Sequence, residues 1–254
     1  MLLSAVFLFT GCVSSKYREA KKDTPPPQLL NVAFAPAPLQ AMLNTVITYN
    51  GPGSWKRNAF WDEYVITLHN PSRGPITASA AQMTDFFSTP RAPGSEPWTL
   101  EKESKTLEQK YKEAGIAFVR YTAPGLIIAG AGVGFGSAAL MSAGAANAAA
   151  VCLVALPVYY ISVLTINHYN KLAMEKEFNR RRLVLPLNLA PGETRTGSLF
   201  FPMIPSPRSL RIDWSDEAGN GTAVLLLDFL RGLHVKPSTA APPTPPRPPS
   251  PKPN

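Results

Sequence analysis

The chain has 254 residues, a formal net charge of +8, 27 prolines and two cysteines. Two cysteines exclude a disulfide framework. The basic residues gather in 16–22, in 180–182 and in the C-terminal tail with no recognition helix or aromatic-basic sheet motif around them, which argues against nucleic acid; the surplus charge asks instead for an acidic partner such as anionic lipid.

Residues 1–15 read MLLSAVFLFTGCVSS, a short apolar run followed by small residues immediately before a cysteine. This pattern resembles a bacterial lipoprotein signal. The resemblance implies that Phe9, Thr10, Gly11 and Cys12 form a lipobox, that residues 1–11 are a signal peptide removed before Cys12, and that the Cys12 sulfur carries diacylglycerol. It also implies an exported, lipid-anchored protein. Val13 after the cysteine, rather than Asp, fits onward transport to an outer membrane, facing the periplasm, in a cell that has one. Residues 12–28 then read as a solvated tether. With Cys12 acylated, Cys152 is the remaining thiol, and its Ala, Val and Leu neighbours suit a small apolar packing residue.

Residues 29–98 carry strand-like runs at 29–34, 44–49 and 64–69, separated by turn chemistry at Gly51, Pro52, Gly53 and at Asn70, Pro71. Alternation in 64–69 puts Tyr64, Ile66 and Leu68 on an inner face and Val65, Thr67 and His69 on the outer one. His69 therefore reads as a surface histidine rather than a metal ligand. Residues 183–235 repeat the grammar: runs at 183–189, 197–201, 209–214 and 223–229, with turns at Pro191, Gly192, Glu193 and at Gly219, Asn220, Gly221. Neither half has enough strands to cover both faces of a core, so the two belong to one antiparallel β-sandwich. The layout of a strand, a Pro-Gly-Glu turn and a Gly-x-Leu-Phe-Phe-Pro strand looks like the immunoglobulin-like domains of small bacterial surface lipoproteins. Asp213, Asp216 and Glu217 around Trp214 read as an exposed hairpin loop before Gly219, with a calcium or sugar contact as the sharper alternative.

Between the halves, 99–182 reads as an inserted helical hairpin. From 121 to 170 the chain carries no Asp, Glu, Lys or Arg, too long for one membrane span and suited to two, at 125–143 and 148–167. Glu101 with Lys105, Glu108 with Lys112 and Glu177 with Arg181, each at i, i+4, make the flanks read as solvated helical stems. Two crossings return the chain to the side it left, so both sandwich halves can meet. In the first span Gly130 and Gly134 are four apart, as are Gly132 and Gly136, which lets backbones approach closely. These repeats are similar to those of glycine-zipper lipoproteins of the bacterial envelope; the groove seats either the second span or another subunit in a homo-oligomer. They do not form a phosphate loop, because neither G-x-G-x-x-G nor a Walker arrangement is present. Pro124 suits a helix start and Pro157 a kink within a span. Arg120, Lys171, Arg180, Arg181 and Arg182 flank the open side as a basic collar for anionic headgroups. The positive-inside tendency would put that side in the cytoplasm, whereas the lipobox puts it outside, and the export route is followed here.

Residues 236–254 are almost entirely Pro, Ser, Thr, Ala and a few basic residues, a composition that reads as a disordered spacer with polyproline II character. No G-x-S-x-G, H-E-x-x-H or Cys/His pair in a plausible setting is present, so no enzyme and no cofactor is expected. The fold expected is α+β and membrane-anchored: an Ig-like antiparallel β-sandwich split by a helical hairpin. The function expected is a non-catalytic envelope lipoprotein presenting the sandwich to a protein or cell-wall partner. The alternative is an oligomeric, membrane-active or channel-forming protein built from the Gly/Ala-rich helices.

Overall fold

A computed structural model describes residues 18–19, 26–34, 38–49, 51–57, 59–120 and 156–236. The strands in chain order are β1 (Arg18–Glu19), β2 (Val32–Ala33), β3 (Gln40–Ile47), β4 (Lys56–Arg57), β5 (Asp62–His69), β6 (Ile76–Thr84) and β7 (Pro90–Arg91). After helices α1 (Pro97–Glu113) and α2 (Leu156–Arg181) come β8 (Leu187–Leu189), β9 (Thr194–Phe201), β10 (Ser209–Asp216) and β11 (Gly219–Leu226). A short 3-10 turn, Asp228–Leu230, follows.

Alternation in β5 places Tyr64, Ile66 and Leu68 in the core and leaves Val65, Thr67 and His69 part-exposed on the outer face. β5 pairs antiparallel with β3 on one side and with β9 on the other, giving the order β2-β3-β5-β9. The second sheet runs β11-β10-β6-β7, with β8 beside β7 along the same edge of β6. Leu43, Tyr64, Ile66 and Leu68 from the first sheet meet Ile76, Met83, Leu210, Ile212 and Leu225 from the second in one core. The two halves of the sequence are interleaved: β5 with β9, and β6 with both β8 and β10. The expected split sandwich is therefore realised as two antiparallel sheets in an α+β fold.

Several sequence expectations need correction. The stems are not solvated cylinders. α1 buries Leu100, Glu101, Ser104, Leu107 and Tyr111, a single stripe at helical spacing, while α2 buries Met174 and Phe178. The expected ion pairs do form, with Lys105 Nζ 2.5 Å from Glu101, Lys112 Nζ 2.6 Å from Glu108 and Arg181 Nε 2.7 Å from Glu177, Glu101 pairing from the edge of the buried stripe. Nor does the first stem run unbroken to residue 121. It stops at Glu113, where Gly115 takes a left-handed backbone (φ 78°) and Ile116 N–H donates to the Tyr111 carbonyl, closing the last turn. Residues 117–119 then run extended beside 234–236, with a bridge between Phe118 and Val235. Pro157 is the second residue of α2 as described, and the residues before Leu156 lie outside the described residues. Among the described residues no helix is long and apolar enough to cross a membrane. The first expected span and residues 148–155 of the second, with Gly130, Gly132, Gly134, Gly136 and Cys152, lie outside the described residues. So do the lipobox, Cys12 and residues 237–254 of the Pro-rich tail.

Candidate functional site

All the points where the described chain departs toward residues 121–155 lie at one end of the sandwich. That end is built from the start of β5, the ends of β3, β6, β9 and β11, and the start of β10. Its outer face is apolar where the rest of the same face is not. Trp61 and Phe200 point outward from the first sheet and are covered by Leu100 of α1 and by Met174 and Phe178 of α2, with Trp55 and Trp98 at the margin. Phe178 stacks on Phe200 at 4.0 Å, and Trp61 meets Trp98 and Phe178 edge-on, each at 6.0 Å. Farther along the face, Thr67 bonds Asn44 and Thr196, each at 2.8 Å, and His69 bonds Thr194 at 2.9 Å. That ladder is polar and open, which fits His69 as a surface residue.

The contact line fixes the direction of α2. Arg181 lies at the level of Glu63 and Phe178 at the level of Trp61, so the helix traced backwards runs toward the end where β5 begins. At about 1.5 Å per residue, the segment from Phe178 back to Leu156 extends ~33 Å. The tether approaches the same end, since β1 pairs with β4, the strand just before Trp61, and lies against α2. The outgoing chain is held there as well. Val119 N–H donates to the His234 carbonyl at 2.9 Å and Lys236 N–H to the Ala117 carbonyl at 2.8 Å. Arg120 donates to Glu108 at 2.8 Å and lies 4.6 Å over the Phe60 ring.

Charges are buried beneath this surface. His234 Nε2 is 2.7 Å from Asp62 Oδ2, both residues being inaccessible, and its Nδ1 donates to the Val119 carbonyl at 3.2 Å. Because that carbonyl only accepts, Nδ1 is the donor there, and Nε2 faces the Asp62 carboxyl. Phe118 stacks on the imidazole at 5.9 Å. Tyr64, also inaccessible, has its hydroxyl pushed well above the ordinary range, by burial first and by Asp62 second. Lys56 is wholly buried and donates to the Trp61 carbonyl at 2.6 Å; burial brings its ammonium down to about 8 against the opposing pull of Asp62 and Glu63. Glu63 accepts from Trp55 Nε1 and Ser198 Oγ, each at 2.6 Å, with Arg181 Nη1 at 3.4 Å. These groups brace the outgoing strand, the β4–β5 loop and α2.

Two shallow pockets adjoin one another where residues 93–98 face 179–185. The larger, about 540 Å³, is lined by Trp98, Glu175, Asn179 and Arg182 among others. Trp98 Nε1 donates to Glu175 across it and Arg182 Nη1 donates to the Ser95 carbonyl. Among the described residues no group of three or more His, Cys, Asp or Glu side chains is placed to hold a metal ion. Asp216 is occupied in capping the Glu217–Ala218 turn through Ala218 N–H and Gly219 N–H, and Asp213 pairs with Arg211 and Thr222.

The basic residues expected to form a collar are placed as follows. Arg120 and Lys171 lie toward the end where the chain departs, with Lys171 Nζ 5.0 Å over Trp98. Arg180, Arg181 and Arg182 sit at the C-terminal end of α2, about 14 Å farther along its axis, so the five do not share one plane. Arg180 and Arg181 both bond Glu177; the bond from Arg180 outweighs the burial that opposes it and, with the bond from Arg181, holds the carboxyl down at about 2. Sequence reasoning missed Lys56, Asp62 and His234 altogether.

Comparison with protein-family models, with curated proteins and with solved structures gives no match. The class is therefore defined by architecture: an α+β protein of two antiparallel sheets around one core, with two helices covering one end.

Proposed function

We propose that the protein is a non-catalytic cell-envelope lipoprotein, exported and held at a membrane by acylated Cys12 and by a helical hairpin through 121–155 and the start of α2. Its Ig-like sandwich is presented to a protein or cell-wall partner. One observation carries this reading: the tether at β1, the outgoing chain at Arg120 and the projecting α2 all meet the sandwich at a single end. A body fastened at one end leaves the other free to bind. The absence of a charged residue over 121–170 supplies the apolar surface the hairpin needs. Anionic headgroups are the lipid partner for Arg120 and Lys171, which lie nearest the departing segments. The diacylglycerol on Cys12 and the hairpin are two membrane attachments on the same body.

Cells labelled with clickable palmitate test the anchor. The parent chain labels and fractionates with membranes; Cys12→Ala loses the label and accumulates as precursor. Equal labelling of parent and variant overturns the lipobox assignment.

A further inference from the structure

We propose that the turn bearing Phe86 and Phe87 is a lipid-contact site, its two rings seated in the headgroup–acyl boundary beside the departing chain. The inference rests on the reading of 121–155 as membrane-inserted and names a second element that touches the bilayer.

Phe86 and Phe87 are 39% and 49% exposed at the tip of the loop between β6 and β7. The loop cannot fold them inward, because the buried Asp85 ties it down. Asp85 N–H donates to the Thr89 carbonyl at 3.0 Å, Ser88 N–H to the Asp85 carbonyl at 2.9 Å, and Thr89 N–H to Asp85 Oδ1 at 2.8 Å. Ser88 is held in the left-handed region (φ 63°). Arg91 Nε donates to Asp85 Oδ2 at 2.9 Å and Tyr111 Oη to the same oxygen at 3.2 Å, so the turn presents no carboxylate. A rigid turn offering two aromatic rings loses little entropy when it meets an apolar surface.

The rings continue a stack that ends at the departing chain. Phe86 meets Phe87 edge-on at 5.5 Å, Phe87 lies parallel to Tyr111 at 5.1 Å, and Tyr111 lies parallel to Phe118 at 6.3 Å. Phe118 is three residues before Tyr121, where the uncharged stretch begins. Other exposed apolar side chains share this end. Leu226, 65% exposed, is two strands from Thr84, since both pair with Ser209; Tyr169 and Leu172 lie on α2 beyond its packed portion. With Phe86 and Phe87 these make five of the seven large exposed hydrophobics among the described residues, so the exposure is not spread at random.

The occupant is lipid rather than protein because the apolar groups protrude around the departing chain instead of forming a groove, and cations accompany them. Arg208 lies 5.9 Å over Phe86 while donating to Ser88 Oγ at 2.9 Å, and Arg120, two residues after Phe118, lies over the Phe60 ring. Asp228 is the exposed carboxylate on the neighbouring turn. Protruding aromatics with arginines at their edge suit the interfacial zone of an anionic membrane.

The full-length chain carrying a benzophenone analogue of phenylalanine at position 86 or 87 is reconstituted into vesicles of equal phosphatidylethanolamine and phosphatidylglycerol bearing clickable acyl chains, then irradiated. Retention after alkaline carbonate washing is scored separately. The same analogue at Arg73, on the opposite end, is the reference. Lipid adducts at 86 and 87 are expected to exceed those at 73 about tenfold, as seating within the ~5–10 Å boundary layer implies. A carbonate-resistant chain with no excess of lipid adducts, or with adducts to a second protein chain instead, overturns the site while leaving the hairpin reading intact. Adducts on a carbonate-extractable chain uphold the site and overturn the hairpin. Neither adducts nor retention overturns both.

Discussion

The two ends of the sandwich solve the same problem, closing off the strands, by opposite means. The end opposite the departing chain closes with short turns in which polar side chains bond chiefly to backbone, within the turn and across to the neighbouring β8–β9 turn. Asn70 Nδ2 donates to the carbonyls of Gly74 and Leu189, Ser72 N–H donates to Asn70 Oδ1, and Asn70 exchanges backbone bonds with Gly192 and Glu193. The β10–β11 hairpin there turns in two residues capped by Asp216. The end where the chain departs is closed instead by side chain against side chain: Asp62 with His234, Glu63 with Ser198, Trp61 with Phe178. Its buried charges are costly to place in a low dielectric, and they brace the segments that leave the sandwich. The contrast teaches where load is borne: one end is braced by side chains packed and paired beneath its surface, and the other by turns whose bonds run to backbone.

Breaking the His234–Asp62 pair tests that contrast most severely. Asp62→Ala leaves a buried imidazole facing no acceptor and is expected to lower stability by about 3–5 kcal/mol, read from denaturant midpoints of the detergent-solubilised protein. A loss no larger than that of a surface substitution would mean the pair braces nothing.

Lys56 sharpens the same point through pH. Its folded-state value, about 8, lies below the ordinary 10.5, so between those limits the unfolded chain holds a proton that the folded chain has released. Stability attributable to Lys56 therefore rises as pH increases from about 8 to about 10.5, by at most ~3 kcal/mol, and does not change below 8. Lys56→Met should remove that rise when melting is followed against pH in parallel with the parent. An identical pH slope in both proteins contradicts the buried ammonium.

At the opposite end, Asn70→Ala strips partners from the carbonyls of Gly74 and Leu189 and is expected to cost about 1–3 kcal/mol. It should leave membrane retention unchanged. Reduced retention with intact folding would erase the distinction between the ends.

What the sequence made legible follows the same division. β5 announced itself through clean alternation, and the turns at Asn70 and before Gly219 through local chemistry. β6 was invisible: Ala78, Ser79, Ala80 and Ala81 give it little strand propensity, and it is a strand because β10 pairs it on one side and β7 and β8 on the other. β3 was placed too late, at 44–49 rather than Gln40–Ile47, because the irregularity between Leu43 and Thr45 breaks the alternation that marks a face. Lys56, Asp62 and Glu63 sit in a stretch that reads as an exposed polar loop, and only the long-range packing of α2 and 234–236 buries them. Trp214 shows a related limit. Gly221 is required opposite it, since a Cβ there would come within 2.2 Å of the ring, but in sequence that glycine looked like part of a turn. The adjacent Phe86 and Phe87 between Asp85 and Ser88 were a readable sign of an exposed apolar turn that the sequence reading did not take up.

On the function proposed above, the chain between Arg120 and the packed part of α2 dips into a bilayer from one end of the sandwich. Proteinase K digestion of the full-length protein in sealed vesicles, followed by mass spectrometry, tests it directly. The account predicts a protected fragment spanning 121–155 and the start of α2 while the 236–254 tail is cut quickly. Cleavage within 121–155 as fast as in the tail, with the vesicles still sealed, contradicts it.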